Sequence, residues 1–340
     1  MKVFLTGSTG FVGTTLLQRF VADGIEAVAL VRNGSVGLPD GVESVVGDLN
    51  SLVVADRLPR RSASRNDGDN VNFCASLELM LENIDVIAHA AARAHIMREA
   101  AEDPLAEYRK VNRDATLALA RLAAESGVKR FVFLSSIGVH GNSNVKPFTE
   151  QDEPAPHDLY AISKLEAEHG LLDIAKETGM EVVIVRPPLV YAPNAPGNFG
   201  SLVKWVKKGV PLPFGSIHNQ RSLVALDNLV DFIALCADRE KSPKAANQIF
   251  LISDGEDVST TQLLKKVAKA FNKKAMLLPI PVGIMTFMAK LLGKGDVANR
   301  LFGSLQVDSS KARDLLGWKP VTSMDEQLKK TAQAYISEKK

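Results

Sequence analysis

Short, β-branched runs separated by longer stretches of helical period set the texture of the first half of the chain. Lys2–Leu5, Ala27–Val31, Val42–Val46, Val86–His89, Phe131–Leu134 and Val182–Val185 are brief and almost wholly apolar. That is the pattern of strands buried on both faces. Between them, Gly13–Gly24, Tyr108–Ser126 and Tyr160–Thr178 repeat at 3.6 residues, with Val111, Leu117, Leu119 and Leu122 forming the clearest stripe. Strand–helix alternation of this kind predicts an α/β fold built on a doubly wound parallel sheet, with ligands at the carboxyl ends of its strands.

The pattern breaks in two places. Pro59–Asn72 is dominated by Ser, Asn, Asp, Gly and Arg and reads as an exposed loop insertion. Its arginines (with Arg57 just before it) suit a solvated loop better than a nucleic-acid patch. After Pro187, Pro188, Pro193, Pro196, Pro211 and Pro213 alternate with glycines, a composition for a loop-rich lid. From Val258 onward the chain reads as mostly helical, with Ser259-Thr260-Thr261 as a cap. The expected division is a dinucleotide-binding domain over 1–187, with returning segments near 217–240, and a smaller, loop-rich and helical substrate domain over 188–340.

Composition narrows the class. The chain of 340 residues is 46% hydrophobic, and its 41 basic and 39 acidic side chains leave a formal net charge of +2. That balance argues against nucleic acid as a partner. Only Cys74 and Cys236 are present, without metal-ligand spacing, which fits a metal-free protein of a reducing cytoplasm. The greasiest stretch, Ala275–Leu292, is interrupted by Pro279, Pro281, Gly283 and Lys290. A span needs about 20 continuous apolar residues. No membrane span is expected, and a packed C-terminal helix is the favoured reading over peripheral attachment.

The first run leads into Thr6-Gly7-Ser8-Thr9-Gly10-Phe11-Val12-Gly13 and then a helix. Glycines let the backbone approach a pyrophosphate, and a helix start offers unpaired N–H donors and a positive dipole end. Gly7, Thr9, Gly10, Phe11, Val12 and Gly13 are therefore cofactor-loop candidates. The second strand ends on Arg32, where an acidic residue would hold the ribose 2′-OH of NAD. A guanidinium there suits a 2′-phosphate, so NADP(H) is favoured, with NAD(H) admissible through other contacts.

Tyr160 and Lys164 lie one helical turn apart. A tyrosine ordinarily titrates near pH ~10 and is idle as a base at neutral pH. A neighbouring ammonium and a cationic nicotinamide would favour the phenolate, allowing Tyr160 to exchange a proton with a substrate oxygen. Ser135 and Ser136 end the fifth run, at the crevice edge, where a hydroxyl can orient the same oxygen.

Gly7/Gly10/Gly13, Asp48, His89-Ala90-Ala91, Ser136, Tyr160/Lys164 and Arg186-Pro187 together resemble the extended short-chain dehydrogenase/reductases, the NAD-dependent epimerase/dehydratase family. The resemblance implies a Rossmann-like domain with Ser136, Tyr160 and Lys164 as the catalytic set. It places Asp48 and Leu49 at the adenine edge and adds Ala90, Ala91, Ser135 and Pro187 to the cofactor contacts. Asn112 matches an asparagine that supports the active-site backbone. In the carboxyl half, Asn198 and the Phe199 backbone fall where the family holds a nucleotide diphosphate. Pro213 lies in the loop that packs on uracil, Arg221 matches a diphosphate arginine, and Arg300 is a second candidate. A guanidinium fork suits two phosphoryl oxygens. His140 stands where the family usually has tyrosine. A homodimer is a further family-based expectation.

The 4,6-dehydratase branch needs an acidic pair where Ile137 and Gly138 stand, and neither can transfer protons. Two enzymatic readings at C4 of a UDP-sugar remain. Arg32 and the carboxyl half favour 4-ketoreduction of a UDP-4-keto-6-deoxy-N-acetylhexosamine for surface polysaccharide. The alternative is a UDP-glucose or UDP-N-acetylglucosamine 4-epimerase with tightly held NAD. A non-catalytic NADP-sensing regulator comes third, since such a protein can dispense with the tyrosine–lysine pair.

Overall fold

The computed structural model describes residues 1–34, 37–57, 68–94, 102–293 and 295–337. In chain order the elements are β1 (Lys2–Thr6), α1 (Phe11–Ala22), β2 (Glu26–Val31), β3 (Glu43–Val46), α2 (Asn50–Arg57), α3 (Gly68–Leu81), β4 (Val86–His89), α4 (Pro104–Arg109), α5 (Ala115–Glu125), β5 (Arg130–Leu134), α6 (Leu159–Thr178) and β6 (Glu181–Arg186). They continue with β7 (Leu189–Tyr191), α7 (Asn198–Lys208), β8 (Leu223–Ala225), α8 (Leu226–Ala237), β9 (Gln248–Leu251), α9 (Thr260–Ala270), α10 (Val282–Leu291), α11 (Gly295–Phe302), α12 (Ser310–Leu316) and α13 (Met324–Ser337).

Two compact units result. The first takes in Met1–Val139, Pro156–Arg186 and Val230–Phe250, and the second His140–Ala155, Pro187–Leu229 and Leu251–Lys340. The sheet of the first unit runs β3-β2-β1-β4-β5-β6-β9, with every ladder from β3 to β6 parallel. The order reverses between β1 and β4, which opens a crevice beyond their carboxyl ends, the usual ligand position in such a sheet. Phe4, Val28, Ile87, Phe131, Phe133 and Ile184 bury one sheet face against Leu119, Ala123, Leu171 and Ile174. The predicted strands are all present. One departs from expectation: β3, at the sheet edge, leaves Glu43, Ser44 and Val46 exposed rather than buried on both faces.

The returning segment of the first unit is anchored by Arg130, whose side chain is wholly buried. Its guanidinium donates to Glu181 (2.7 Å), the Cys236 carbonyl (2.7 Å), and the hydroxyl (2.9 Å) and carbonyl (3.1 Å) of Ser242. Of the polar 59–72 stretch, residues 59–67 lie outside the described residues, and Gly68–Asn72 begin α3 rather than a loop.

The second unit contains more regular structure than its proline content predicts. β7 and β8 form a two-stranded parallel sheet, and α7 is a helix of 11 residues. Tyr191 at the end of β7 donates its hydroxyl to Asp254 (2.6 Å), whose other oxygen accepts from the Ala225 amide (2.9 Å) and the Asn228 amide group (2.7 Å). The helical reading beyond Val258 holds: Ser259 and Gln262 make a reciprocal capping box at the start of α9. The greasy stretch is a different matter. None of the residues of α10 is buried, so it is not the packed helix its composition suggested.

Candidate active site in the first unit

The loop after β1 is built for a close ligand approach. Gly7 adopts a φ of 72°, which glycine alone takes without strain, and a Cβ there would sit 2.6 Å from the Ala91 amide nitrogen. Gly13 packs so tightly under the turn that any side chain would collide with the Gly7 carbonyl. The turn closes with Gly10 N–H donating to that carbonyl (2.9 Å). α1 then starts with Gly10 as its cap and no side chain over its first N–H groups, leaving donors for an anion. Thr9 and Gly10 are exposed, and Phe11 and Val12 half-buried.

Around this loop the other cofactor candidates divide. Ala90 and Ala91 lie against Gly7 at the end of β4. Arg32 is exposed just past β2 and makes no hydrogen bond or ion pair among the described residues. Asp48 is exposed and caps α2, one carboxylate oxygen accepting from the Asn50 amide (2.9 Å) and side chain (3.0 Å), while Leu49 is buried in the core. Pro187 is buried. The Ser135 hydroxyl is committed elsewhere: it donates to Glu168, so only its backbone could face a cofactor.

α6 presents the tyrosine and the lysine. Asp158 caps it, accepting from the Ala161 amide (2.8 Å), which sets Tyr160 in the first turn. Lys164 is fully buried; its ammonium stands 3.7 Å over the Phe133 ring and has no hydrogen-bond partner among the described residues. Burial pulls its pKa down to about 7, with the Glu168 carboxylate opposing. Tyr160 goes the other way. Burial, then the charges of Asp158 and Tyr108, raise its pKa, so the chain alone holds the phenol protonated. In the ligand-free chain Lys164, itself desolvated and standing over Phe133, does not offset that rise.

Ser136 accepts from the Gly138 amide (3.1 Å) at the start of a 3-10 turn over Ile137–Val139. Asn112 sits in a π-helical turn, Lys110–Asp114, between α4 and α5. Such bulges recur at functional sites. Its amide accepts from the Arg93 N–H (2.7 Å) and donates to the Arg93 carbonyl (3.1 Å) and the Ser163 hydroxyl (2.9 Å), tying the loop after β4 to α6. Arg93 in turn lies 5.6 Å over the Tyr108 ring, which meets Tyr160 edge-on.

One buried group, Glu168, went unnoticed in the sequence, and another, His89, was named there without a role. Glu168, one turn beyond Lys164, forms an ion pair with Arg186 at the end of β6 and accepts from Ser135. A helical i, i+4 continuation from Lys164 was the available signal. His89 is bonded on both ring nitrogens, to Thr6 (2.9 Å) and Thr116 (3.0 Å). Thr116 gives its own proton to the Asn112 carbonyl (2.9 Å), so His89 Nε2 is the protonated nitrogen. Burial, and then Lys164, pull its pKa down to about 3. It is a neutral clamp.

Apart from Ser136, which lies in the first unit, the substrate candidates belong to the second unit. Asn198 and Phe199 open α7, capped by Gly197 with no side chain over the first N–H groups, while the Phe199 ring is buried against Tyr191. Pro213 lies in a loop bonded to the 276–278 segment on both sides, through Leu212 and Gly215. Arg221 is half-buried and gives one nitrogen to the carbonyls of Arg300 (2.7 Å) and Gly303 (3.0 Å); the Arg300 side chain is exposed. His140 is buried and stacked on Phe148 at 5.2 Å.

A doubly wound parallel sheet with a glycine-lined helix start after β1 is the architecture of a dinucleotide-binding domain. The chain matches the NAD dependent epimerase/dehydratase family over residues 3–252, and it belongs to that family. It is 44% identical over 338 residues to a UDP-glucose 4-epimerase of Vibrio cholerae, covering 98% of this chain and 95% of that protein. Among solved structures it is similar to the UDP-glucose 4-epimerase of Thermotoga maritima with UDP-glucose, at a TM-score of 0.73 and 23% identity over the whole of both chains. A UDP-glucuronic acid 4-epimerase of Bacillus cereus in complex with NAD gives 0.74 and 20% identity, covering 98% of this chain and 96% of that one. No described helix is long and apolar enough to cross a membrane.

Proposed function

We propose that the chain moves hydride at C4 of a UDP-hexose, as a 4-epimerase. The observation that carries the class of chemistry is the buried Lys164 amine, without a hydrogen-bond partner among the described residues and one turn from a protonated Tyr160, in a chain with Ile137 and Gly138 where a dehydratase would need acids. An amine held out of water at such cost needs an acceptor that arrives with a ligand.

The residues present fit a nicotinamide dinucleotide. Gly7, Thr9, Gly10, Phe11, Val12 and Gly13 would cradle its pyrophosphate, Asp48 and Leu49 its adenine edge, and Ala90, Ala91, the Ser135 backbone, Pro187, Tyr160 and Lys164 its inner half. When bound, the group supplies the hydride acceptor and donor, and in its oxidised form a positive charge that favours a phenolate. Tyr160 exchanges the proton of the C4 oxygen and Ser136 orients that oxygen. Lys164, when protonated, donates to the incoming ligand and adds positive charge beside the phenol. Asn198, the Phe199 backbone, Pro213, Arg221 and Arg300 would hold the UDP moiety, the uncapped start of α7 suiting a diphosphate.

The Vibrio relative's name supports epimerisation, and the Bacillus structure, which holds NAD, supports that cofactor for the fold. A second reading rests on Arg32, exposed and without an ion pair among the described residues. It favours NADPH and one-way reduction of a UDP-4-keto-6-deoxy-N-acetylhexosamine. Incubating the purified protein with UDP-glucose or UDP-N-acetylglucosamine and no added cofactor tests the first reading, with C4 epimers followed by NMR. Epimer formation, with nucleotide released on denaturation, is expected. No epimer, alongside NADPH oxidation by the 4-keto sugar that is lost in Arg32→Ala, reverses the order; inertness in both assays refutes C4 chemistry.

A further inference from the structure

Helix α10 turns its apolar face outward. Ile284, Phe287, Met288 and Leu291, spaced i, i+3, i+4, i+7, lie on one stripe and all are exposed, Phe287 by 62% and Leu291 by 67%. The opposite stripe, Val282, Met285 and Ala289, is only half-buried. Met276, Leu278 and Leu292 extend the outward surface, so seven of the 17 exposed large hydrophobics among the described residues fall between Met276 and Leu292. Scattered exposed leucines need no explanation, but a continuous stripe of this kind does.

Charge narrows what could cover it. From Asn272 to Gly295 the sequence holds Lys273, Lys274, Lys290 and Lys294 and no aspartate or glutamate, whereas the whole chain carries only +2. Lys273, Lys274 and Lys290 are exposed and form no ion pair among the described residues. A second copy of the chain packed symmetrically on this face would add the same lysines again and bring no acid from this stretch to offset them. An anionic bilayer surface offers both complements: acyl chains for the stripe and phosphate headgroups for the lysines. The helix, begun after Pro281 and ended by Gly293 at a φ of 67°, has 10 residues. Such a rod is about 15 Å long, half the thickness of a hydrocarbon core, so it lies in the interface and does not span.

We propose that α10 and its flanking lysines form a membrane-docking surface for anionic phospholipid, by which the second unit rests peripherally on a bilayer. The inference is independent of the reaction assigned above.

Co-sedimentation of the purified full-length protein with phosphatidylglycerol-containing vesicles, against pure phosphatidylcholine vesicles, tests it. Binding to the anionic vesicles, weakened by salt, is expected. A lysine near such a surface contributes roughly fivefold to partitioning. Lys274→Gln with Lys290→Gln should therefore lower binding about 25-fold by the same measure. Phe287→Glu with Leu291→Glu should reduce it to background. Both pairs lie on the surface, so circular dichroism and Tm should match the parent. Wild-type protein that stays in the supernatant overturns the proposal, as does binding that survives Phe287→Glu/Leu291→Glu. A wild-type dimer that this variant makes monomeric, without vesicle binding by either, assigns the face to a second copy and also overturns it.

Discussion

Lys164→Met should make the ligand-free protein more stable and inactive. The folded state holds this amine at a pKa of about 7, against 10.5 for a lysine in water, chiefly by burial. At about 1.4 kcal/mol per tenfold, keeping it costs the fold about 4 kcal/mol at pH 7. Methionine fills a similar volume without a charge. Losing the ammonium over Phe133 subtracts about 1 kcal/mol, so a net gain of about 3 kcal/mol remains. For a protein of this size that is a rise of roughly 4 °C in Tm.

The pH dependence gives the sharper test. Between pH 7 and 10.5 the unfolded chain carries the Lys164 proton and the folded chain increasingly does not. Wild-type stability from this group therefore rises with pH across that window, while the methionine variant lacks the contribution. The advantage of the variant should be greatest at pH 7 and shrink to about a third by pH 9. Calorimetry on protein stripped of nucleotide measures it. A variant less stable than the parent at pH 7, or a difference constant from pH 7 to 9, would refute the reasoning that Lys164 is held at a cost. Nucleotide should then stabilise the parent more than the variant, since only the parent offers the amine.

Tyr160→Phe removes the exchanging proton and leaves the packing, so kcat should fall about 10²- to 10⁴-fold with Tm unchanged; full turnover would end the acid–base assignment. Glu168→Gln leaves Arg186 buried without its charge partner and should cost about 3 kcal/mol in urea denaturation, whereas a change below about 1 kcal/mol would mean the pair carries little. Gly13→Ala drives a methyl into the Gly7 carbonyl, and nucleotide binding by calorimetry should disappear even where the variant folds.

The parallel sheet was legible because its strands are buried on both faces and therefore read as unbroken apolar runs, and Val86–His89 is matched at both ends. β7 and β8 were not, being three residues each and too short for any period to show, β7 amid prolines as well. The glycine loop was legible because geometry there admits no other residue: the strain at Gly7 and the collision at Gly13 are written as glycines. Electrostatics were less so. Spacing placed Tyr160 and Lys164 on one helix face, but the direction of the Tyr160 shift depends on Asp158, Tyr108 and burial, which are properties of packing.

The same distinction explains α10. Its composition, greasy and proline-bounded, is that of a core helix, and periodicity alone cannot say which side of a helix the protein occupies. A buried helix and an interfacial one bury the same residue types, one in protein and the other in lipid. Charge alone does not separate them in the sequence. Among core-facing helices elsewhere in the chain, α6 carries acids and bases together, with Lys164, Glu166, Glu168, Asp173 and Lys176, whereas α7 and α9 carry lysines alone. The 272–295 stretch carries bases alone. What sets α10 apart from the equally basic α7 and α9 is that the fold leaves its apolar stripe exposed, and vesicle binding by this chain is where a lipid assignment of that stripe can fail.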